Sequence, residues 1–202
     1  MTRRFLTCSL FCITSLFTAL PVPAQQRKTQ QRHAPAKKVY TGKSVSVADG
    51  DTFTLLTADK KQYHIRLDGI DAPEKGMPFY KVAKQHLAGL LLNQPVQCEV
   101  KQTDQYNRFV ARVYIIKNGQ KTDISAAMLQ AGMAWHYTRY NKEQQLADLA
   151  AQARAGRKGL WAEPNPTAPW VVRKYRRAGI SDDEYRKMQQ TNNPTLRLYG
   201  TE

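Results

Sequence analysis

Twelve residues constrain this chain more than any others: Tyr63-His64-Ile65-Arg66-Leu67-Asp68-Gly69-Ile70-Asp71-Ala72-Pro73-Glu74. Tyr63, Ile65 and Leu67 alternate with His64, Arg66 and Asp68, the period of a strand with one apolar face. Gly69 lets that strand break into a loop, and Pro73, lacking an N–H, cannot easily rejoin a ladder. Asp71, Ala72 and Glu74 are therefore expected on a rigid loop at a strand end, where the sheet beneath aims side chains at a ligand. Upstream stands Asp49-Gly50-Asp51-Thr52, a hairpin-turn signal that also carries a second carboxylate.

These residue types suit the cutting of a phosphodiester. Asp51 and Asp71, with a backbone carbonyl, offer oxygen ligands to a hard cation such as Ca²⁺. A guanidinium such as Arg66 holds phosphate oxygens bidentately, and a carboxylate such as Glu74 can take the proton of an attacking water. Taken singly, Asp49-Gly50 can be only a turn, and an acid after Pro73 only helix-start decoration. The combination is what points to the chemistry.

Asp49-Gly50-Asp51-Thr52, then Ile65 through Glu74, then Asp104-Gln105-Tyr106-Asn107-Arg108 resembles, in order, the staphylococcal nuclease (thermonuclease) family. The resemblance runs from about residue 39 to residue 161 and ends in Gly159-Leu160-Trp161, similar to the family's closing motif. It implies an α+β, β-rich fold: a five-stranded OB-type Greek-key barrel with about three helices. It also implies a Ca²⁺-dependent endonuclease, with Asp51 and Asp71 ligating the metal by side chains and Ala72 by its carbonyl. Glu74 would activate water, Arg66 and Arg108 would hold the scissile phosphate, and Tyr106 would contact a neighbouring phosphate. Tyr137 and Tyr140 are the candidates for the family's nucleotide-contacting tyrosines. The chain departs from the family pattern at Gln105 and Asn107, where a basic residue and a glycine commonly flank the tyrosine. Asn107 suits a left-handed turn, whereas Gln105 brings no positive charge.

Residues 1–24 read as a secretory signal peptide: Arg3 and Arg4, an apolar run from Phe5 to Leu20, and a Val-x-Ala ending that suits cleavage before Gln25. The expected location is secreted or periplasmic. Residues 25–38 carry five Lys or Arg, no acid and no large apolar residue, the composition of a disordered basic linker. That linker is either a plain solvated arm or a nucleic-acid arm. Only Cys98 is left after the signal, so no intramolecular disulfide can form, and its place on the apolar face of a strand pattern makes it a small core residue.

The rest is enough for one domain, residues 39–163, followed by a basic, Pro-containing C-terminal extension, residues 164–202. Strands are expected at residues 39–48, 52–57, 61–68, 96–102 and 109–116. A helix is expected with Pro78 in its first turn and Val82, His86, Leu87, Leu90 and Leu91 at helical spacing, His86 being an ordinary boundary residue. Asp123 can cap a second helix carrying Ile124, Ala127 and Met128 and closed by Gly132, and residues 141–156 form a third. Trp135, in a short extended piece, is read as core rather than a base platform. In the extension, Pro164, Pro166 and Pro169 are expected to exclude regular structure until Trp170. Residues 170–177, with four cations and two aromatic rings, fit a nucleic-acid surface or an apolar strap equally. Ser181-Asp182-Asp183-Glu184 reads as a capping box for a short helix over 182–190.

Charge agrees with a polyanionic partner. Lys and Arg exceed acids by 15, and the signal takes away two arginines and no acid. Such a field draws polyanions in a salt-dependent way. With no basic amphipathic helix outside the signal, nucleic acid (DNA or RNA) is the expected partner rather than a membrane, and no obligate protein partner is inferred. Two readings remain: a metal-dependent nuclease, and a non-catalytic basic OB-fold module that binds nucleic acid. Asp51, Asp71, Glu74, Arg66 and Arg108 discriminate them, because a pure binder has no use for carboxylates that repel its ligand. A structural or inhibitory envelope protein would explain the signal but not these five.

Overall fold

The computed structural model describes residues 38–191 and residue 195. The expected signal peptide and residues 25–37 of the expected basic linker lie outside the described residues.

Three antiparallel strands come first: β1 (Lys38–Val47), β2 (Thr52–Thr57) and β3 (Gln62–Leu67). After a two-residue strand β4 (Ile70–Asp71) and helix α1 (Tyr80–Leu91), strands β5 (Pro95–Thr103) and β6 (Phe109–Lys117) pair antiparallel, and β5 returns to β1. Parallel pairing of β3 with β6, Ile65 opposite Phe109, joins the two ends of the sheet. Strands β1, β2, β3, β6 and β5 thus close on themselves, the five-stranded barrel the sequence led us to expect. A short sixth strand, β7 (Gln120–Asp123), extends from β6 across the Asn118-Gly119 turn, in which both residues have positive φ.

The alternation in the sequence fills the barrel. Phe53, Leu55, Ile65, Leu67, Val96, Cys98, Ala111 and Val113 are buried, and Ala83, Leu87 and Leu91 of α1 pack against them. Tyr40, Tyr63 and Phe109 meet with ring centroids 4.9–5.2 Å apart. Burial pushes the Cys98 thiol up to about 12. Since the thiolate is the reactive form, Cys98 is expected to resist iodoacetamide at pH 8 in the folded protein and to label fully in denaturant. Rapid native labelling would contradict its core placement.

Helix α2 (Ile124–Gln130) is capped by Asp123, whose side chain accepts from the Ala126 N–H. It is followed by β8 (Trp135–His136), which pairs with β4, and by α3 (Gln144–Ala155). A 3₁₀ turn over Gly159–Ala162 then crosses the end of α2. A Cβ at Gly159 would stand 2.3 Å from the Gly132 carbonyl oxygen, so only glycine permits this crossing. Trp135 is half-buried with its ring edge against Trp161, 5.2 Å between centroids.

Four expectations are corrected, one being that no basic amphipathic helix stands outside the signal: residues 169–177 form one, with Val171, Val172 and Tyr175 buried and four cations along it. Helix α1 begins at Tyr80, not at Pro78, because Phe79 adopts a left-handed φ of 63°. Helix α3 begins at Gln144, not at residue 141: Asn141 is buried ahead of it and accepts from the Glu143 N–H at 2.8 Å. The prolines of the extension do not keep residue 169 out of regular structure. Pro169 starts helix α4 (Pro169–Arg177), where its missing N–H is an unpaired helix-end donor in any case. A fifth helix, α5 (Asp182–Gln190), is capped by the Ser181 hydroxyl, which accepts from the Glu184 N–H. The barrel domain thus carries the three α-helices expected of it, and the extension adds α4 to the expected helix over 182–190.

Candidate active site

The turn between β1 and β2 is more than a reversal. Asp49 accepts from the Asp51 N–H at 3.0 Å, and a Cβ at Gly50 would meet those of Ala72 and Ala83 at 2.7 and 2.9 Å. Glycine thus lets the turn lie against the 70–74 loop. Asp51, 4 % exposed, then accepts from the Ala72 N–H (2.9 Å) and from the Thr52 hydroxyl (3.0 Å).

Arg66 points off β3 on the face opposite Ile65 and Leu67. It donates to Asp51 at 2.5 Å, to Asp71 at 2.9 Å and to the Ile70 carbonyl at 3.3 Å. Pairing of β4 with β8, Asp71 opposite Trp135, fixes Asp71, which is 1 % exposed. Burial alone would raise the Asp51 carboxyl, but Arg66, the Ala72 N–H and the Thr52 hydroxyl outweigh it and hold Asp51 below the usual carboxylate range. Burial, with the neighbouring Asp51 carboxylate, pushes Asp71 up against the pull of Arg173 and Arg66. Burial and Asp51 likewise bring Asp49 up to about 6.

The 104–108 loop is organised by Asp104, which accepts from the backbone N–H groups of Tyr106 and Arg108 and from the Arg108 guanidinium at 2.9 and 2.8 Å. Asn107 takes the left-handed turn, φ 59°. Arg108 also donates to Thr52 at 3.4 Å, and Tyr106 is 69 % exposed. Across the cleft, Tyr137 meets Tyr140 edge-on and stacks parallel to Trp170 of α4, 5.5 Å between centroids. All nine candidate residues, Asp51, Arg66, Asp71, Ala72, Glu74, Tyr106, Arg108, Tyr137 and Tyr140, line one open cleft of about 1440 Å³.

Residues 64–163 match the family model described as staphylococcal nuclease homologue. A micrococcal nuclease of Shigella flexneri is 40 % identical over 151 residues, spanning 71 % of this chain and 84 % of that protein. The chain belongs to the staphylococcal nuclease family. An uncharacterized endonuclease of Haemophilus influenzae is 35 % identical over 150 residues, covering 74 % of this chain and 82 % of its own. A probable staphylococcal-like nuclease of Oryza sativa is 41 % identical over 121 residues, 60 % of this chain but 35 % of the plant protein. This chain thus spans about a third of that plant relative.

Within this family member, the donor set at the cleft floor is made of hard oxygens. Asp51, Asp71 and the Ala72 carbonyl suit a hard divalent cation, and the Asp51 carboxylate is already tied to the Ala72 backbone. Among the described residues no three His, Cys, Asp or Glu side chains form a metal-holding group, so water or substrate oxygens would have to complete the coordination.

Two features of the site were missed in the sequence. Asp68, grouped there with the outward side chains, is buried and accepts from Lys101 (2.5 Å) and Asn141 (3.1 Å); Glu143 lies 3.7 Å from Lys101 and pairs with Arg112, which also pairs with Asp123. This polar cluster braces the loop from behind. The other is Arg173 of α4, which donates to both oxygens of Asp71, at 3.2 and 2.6 Å, and to Glu74 at 2.6 Å. The available signal was the helical spacing of Val172 and Tyr175 behind Pro169.

Proposed function

We propose that this protein is an exported, Ca²⁺-dependent endonuclease that hydrolyses phosphodiester bonds of DNA or RNA. The observation that carries this reading is the convergence of Asp51, Asp71 and Glu74 with Arg66 at the floor of a cleft that also holds Arg108. The names of the bacterial relatives support it, as does the excess of cations over acids.

Asp51 and Asp71, by carboxylate, and Ala72, by carbonyl, would hold the cation. When bound it would polarise a phosphoryl oxygen and offset charge developing there. Arg66 and Arg108 hold the non-bridging oxygens of the scissile phosphate, which draws Arg108 away from Asp104 and fixes the phosphorus above the cleft floor. Glu74 takes a proton from the attacking water. Tyr106 borders a neighbouring phosphate, and Tyr137 and Tyr140 face the nucleotide. The signal-peptide pattern supports export, and extracellular sites work at the weak Ca²⁺ affinities that a few oxygen ligands provide.

The test is digestion of single- and double-stranded DNA and of RNA by the mature protein. Cleavage is expected with Ca²⁺, loss of cleavage in chelator, and recovery when Ca²⁺ is restored. Full activity in chelator, or with Mg²⁺ as the only divalent ion, would defeat the Ca²⁺ reading. Binding without cleavage under every condition would leave the non-catalytic module.

A further inference from the structure

We propose that Arg173 sets the site's affinity for its divalent cation: it is an internal counter-cation that competes with the metal for Asp71 and Glu74. This rests on the metal-dependent reading above and deepens it.

The barrel places three carboxylates, Asp51, Asp71 and Glu74, along one cleft and sets the Arg66 guanidinium against the first two. Arg173 adds a second positive charge from α4, about a hundred residues further along the chain. Its fork covers both oxygens of Asp71, and one of its nitrogens reaches Glu74. Asp71 Oδ1 also accepts from Arg66, whereas Oδ2 accepts from Arg173. A Ca²⁺ ligand oxygen sits about 2.3–2.6 Å from the ion. A guanidinium nitrogen 2.6 Å from the same oxygen occupies one of its lone-pair directions with like charge, so the ion and Arg173 compete for Asp71.

Helix α4 does not depend on this contact for its position. Val171, Val172 and Tyr175 are buried, Tyr175 stacks on Tyr185 at 4.2 Å and donates to Asp182, and Arg176 donates to Asp182 and to the Lys75 carbonyl. The Arg173 side chain, 36 % exposed, can therefore swing into the cleft while the helix stays docked. Each withdrawal breaks charge-assisted hydrogen bonds, and the apparent metal affinity is lowered by the fraction of molecules in which Asp71 is free.

Calorimetric titration of Ca²⁺ into the full mature chain, without nucleic acid, compares wild type, Arg173→Gln and Arg177→Gln. Both variants lose one cation from the same cleft, but Arg177 donates to the Arg173 backbone carbonyl and not to these carboxylates. Arg173→Gln is expected to bind Ca²⁺ roughly tenfold tighter or more, and Arg177→Gln within about threefold of wild type. Thermal melts provide a readout independent of that titration. In chelator Arg173→Gln should melt below wild type, because Asp71 and Glu74 lose their counter-cation, and Ca²⁺ should raise its melting temperature by more than it raises that of wild type.

Equal or weaker Ca²⁺ binding by Arg173→Gln, with wild type binding the ion, would overturn the role of Arg173 and leave the metal reading intact. Equal gains in both variants would reduce the effect to net charge and overturn it as well. Absence of binding in all three would sink the metal reading and this inference together.

Discussion

Arg66→Ala is expected to lose both stability and cleavage. The wild-type guanidinium, 15 % exposed, lies between Asp51 and Asp71, which are almost wholly buried. Removing it leaves the buried Asp51 carboxylate without its cation and Asp71 with Arg173 alone. Breaking a buried pair by deleting one partner costs about 3–5 kcal/mol, so melting temperature in chelator should fall by many degrees. Added Ca²⁺ should restore part of the loss, since the ion would neutralise the same carboxylates.

The pH dependence of that loss follows from Asp51. Its folded-state carboxyl is held below the ordinary range, so its stabilising contribution is present above that range and disappears as pH falls through the depressed value. The gap between wild type and variant should therefore be widest near neutrality and narrow in acid. Cleavage suffers separately. Two charge-assisted hydrogen bonds to phosphate, about 1.5–3 kcal/mol each, correspond to at least roughly 10²-fold in kcat/KM. Thermal melts in chelator at neutral and acid pH, with single-turnover rates in Ca²⁺, check both. An unchanged melt would show that the Arg66 pairings contribute nothing.

The strands were legible because they carry their own instructions, whereas their closure into a barrel was implied by the family resemblance. Ile65 and Leu67 alternate with Arg66, Gly69 ends the run, and each side chain's face follows from its parity. The position of α4 was not legible in the same way. Pro169 stops a helix when it falls inside one and starts a helix when it falls at the first position, and only the packing of Val172 and Tyr175 beside Met77 decides which. Likewise, nothing local to Asn141 says that its side chain will serve Asp68 and Glu143 ahead of α3 rather than join the helix.

At the site, the residues read from motifs share one cleft because they stand at the ends of adjacent strands. Arg173 was invisible as a partner of Asp71 for the opposite reason. Their contact spans a hundred residues, and composition registers the guanidinium only as one of four cations in its segment. The departures at Gln105 and Asn107 divide along the same line. Backbone preference foretold the left-handed Asn107, while the engagement of Arg108 by Asp104 came from the folded loop.

Glu74 decides whether this cleft cuts phosphodiesters or merely holds them. Its carboxylate lies at the cleft floor, 29 % exposed, with Arg173 at 2.6 Å. Glu74→Gln keeps the side chain's shape and an oxygen acceptor for Arg173 but removes the carboxylate proposed to take water's proton, at a typical cost of 10²–10⁴ in rate. Nucleic-acid binding should survive or tighten slightly, since one negative charge leaves the phosphate's path. The decisive measurement is single-turnover cleavage beside equilibrium binding for wild type and Glu74→Gln, in Ca²⁺ at one fixed salt concentration. The account predicts near-equal binding with rates separated by roughly 10²–10⁴; equal rates would remove Glu74 as the base, and wild type that binds without cutting would contradict catalysis itself.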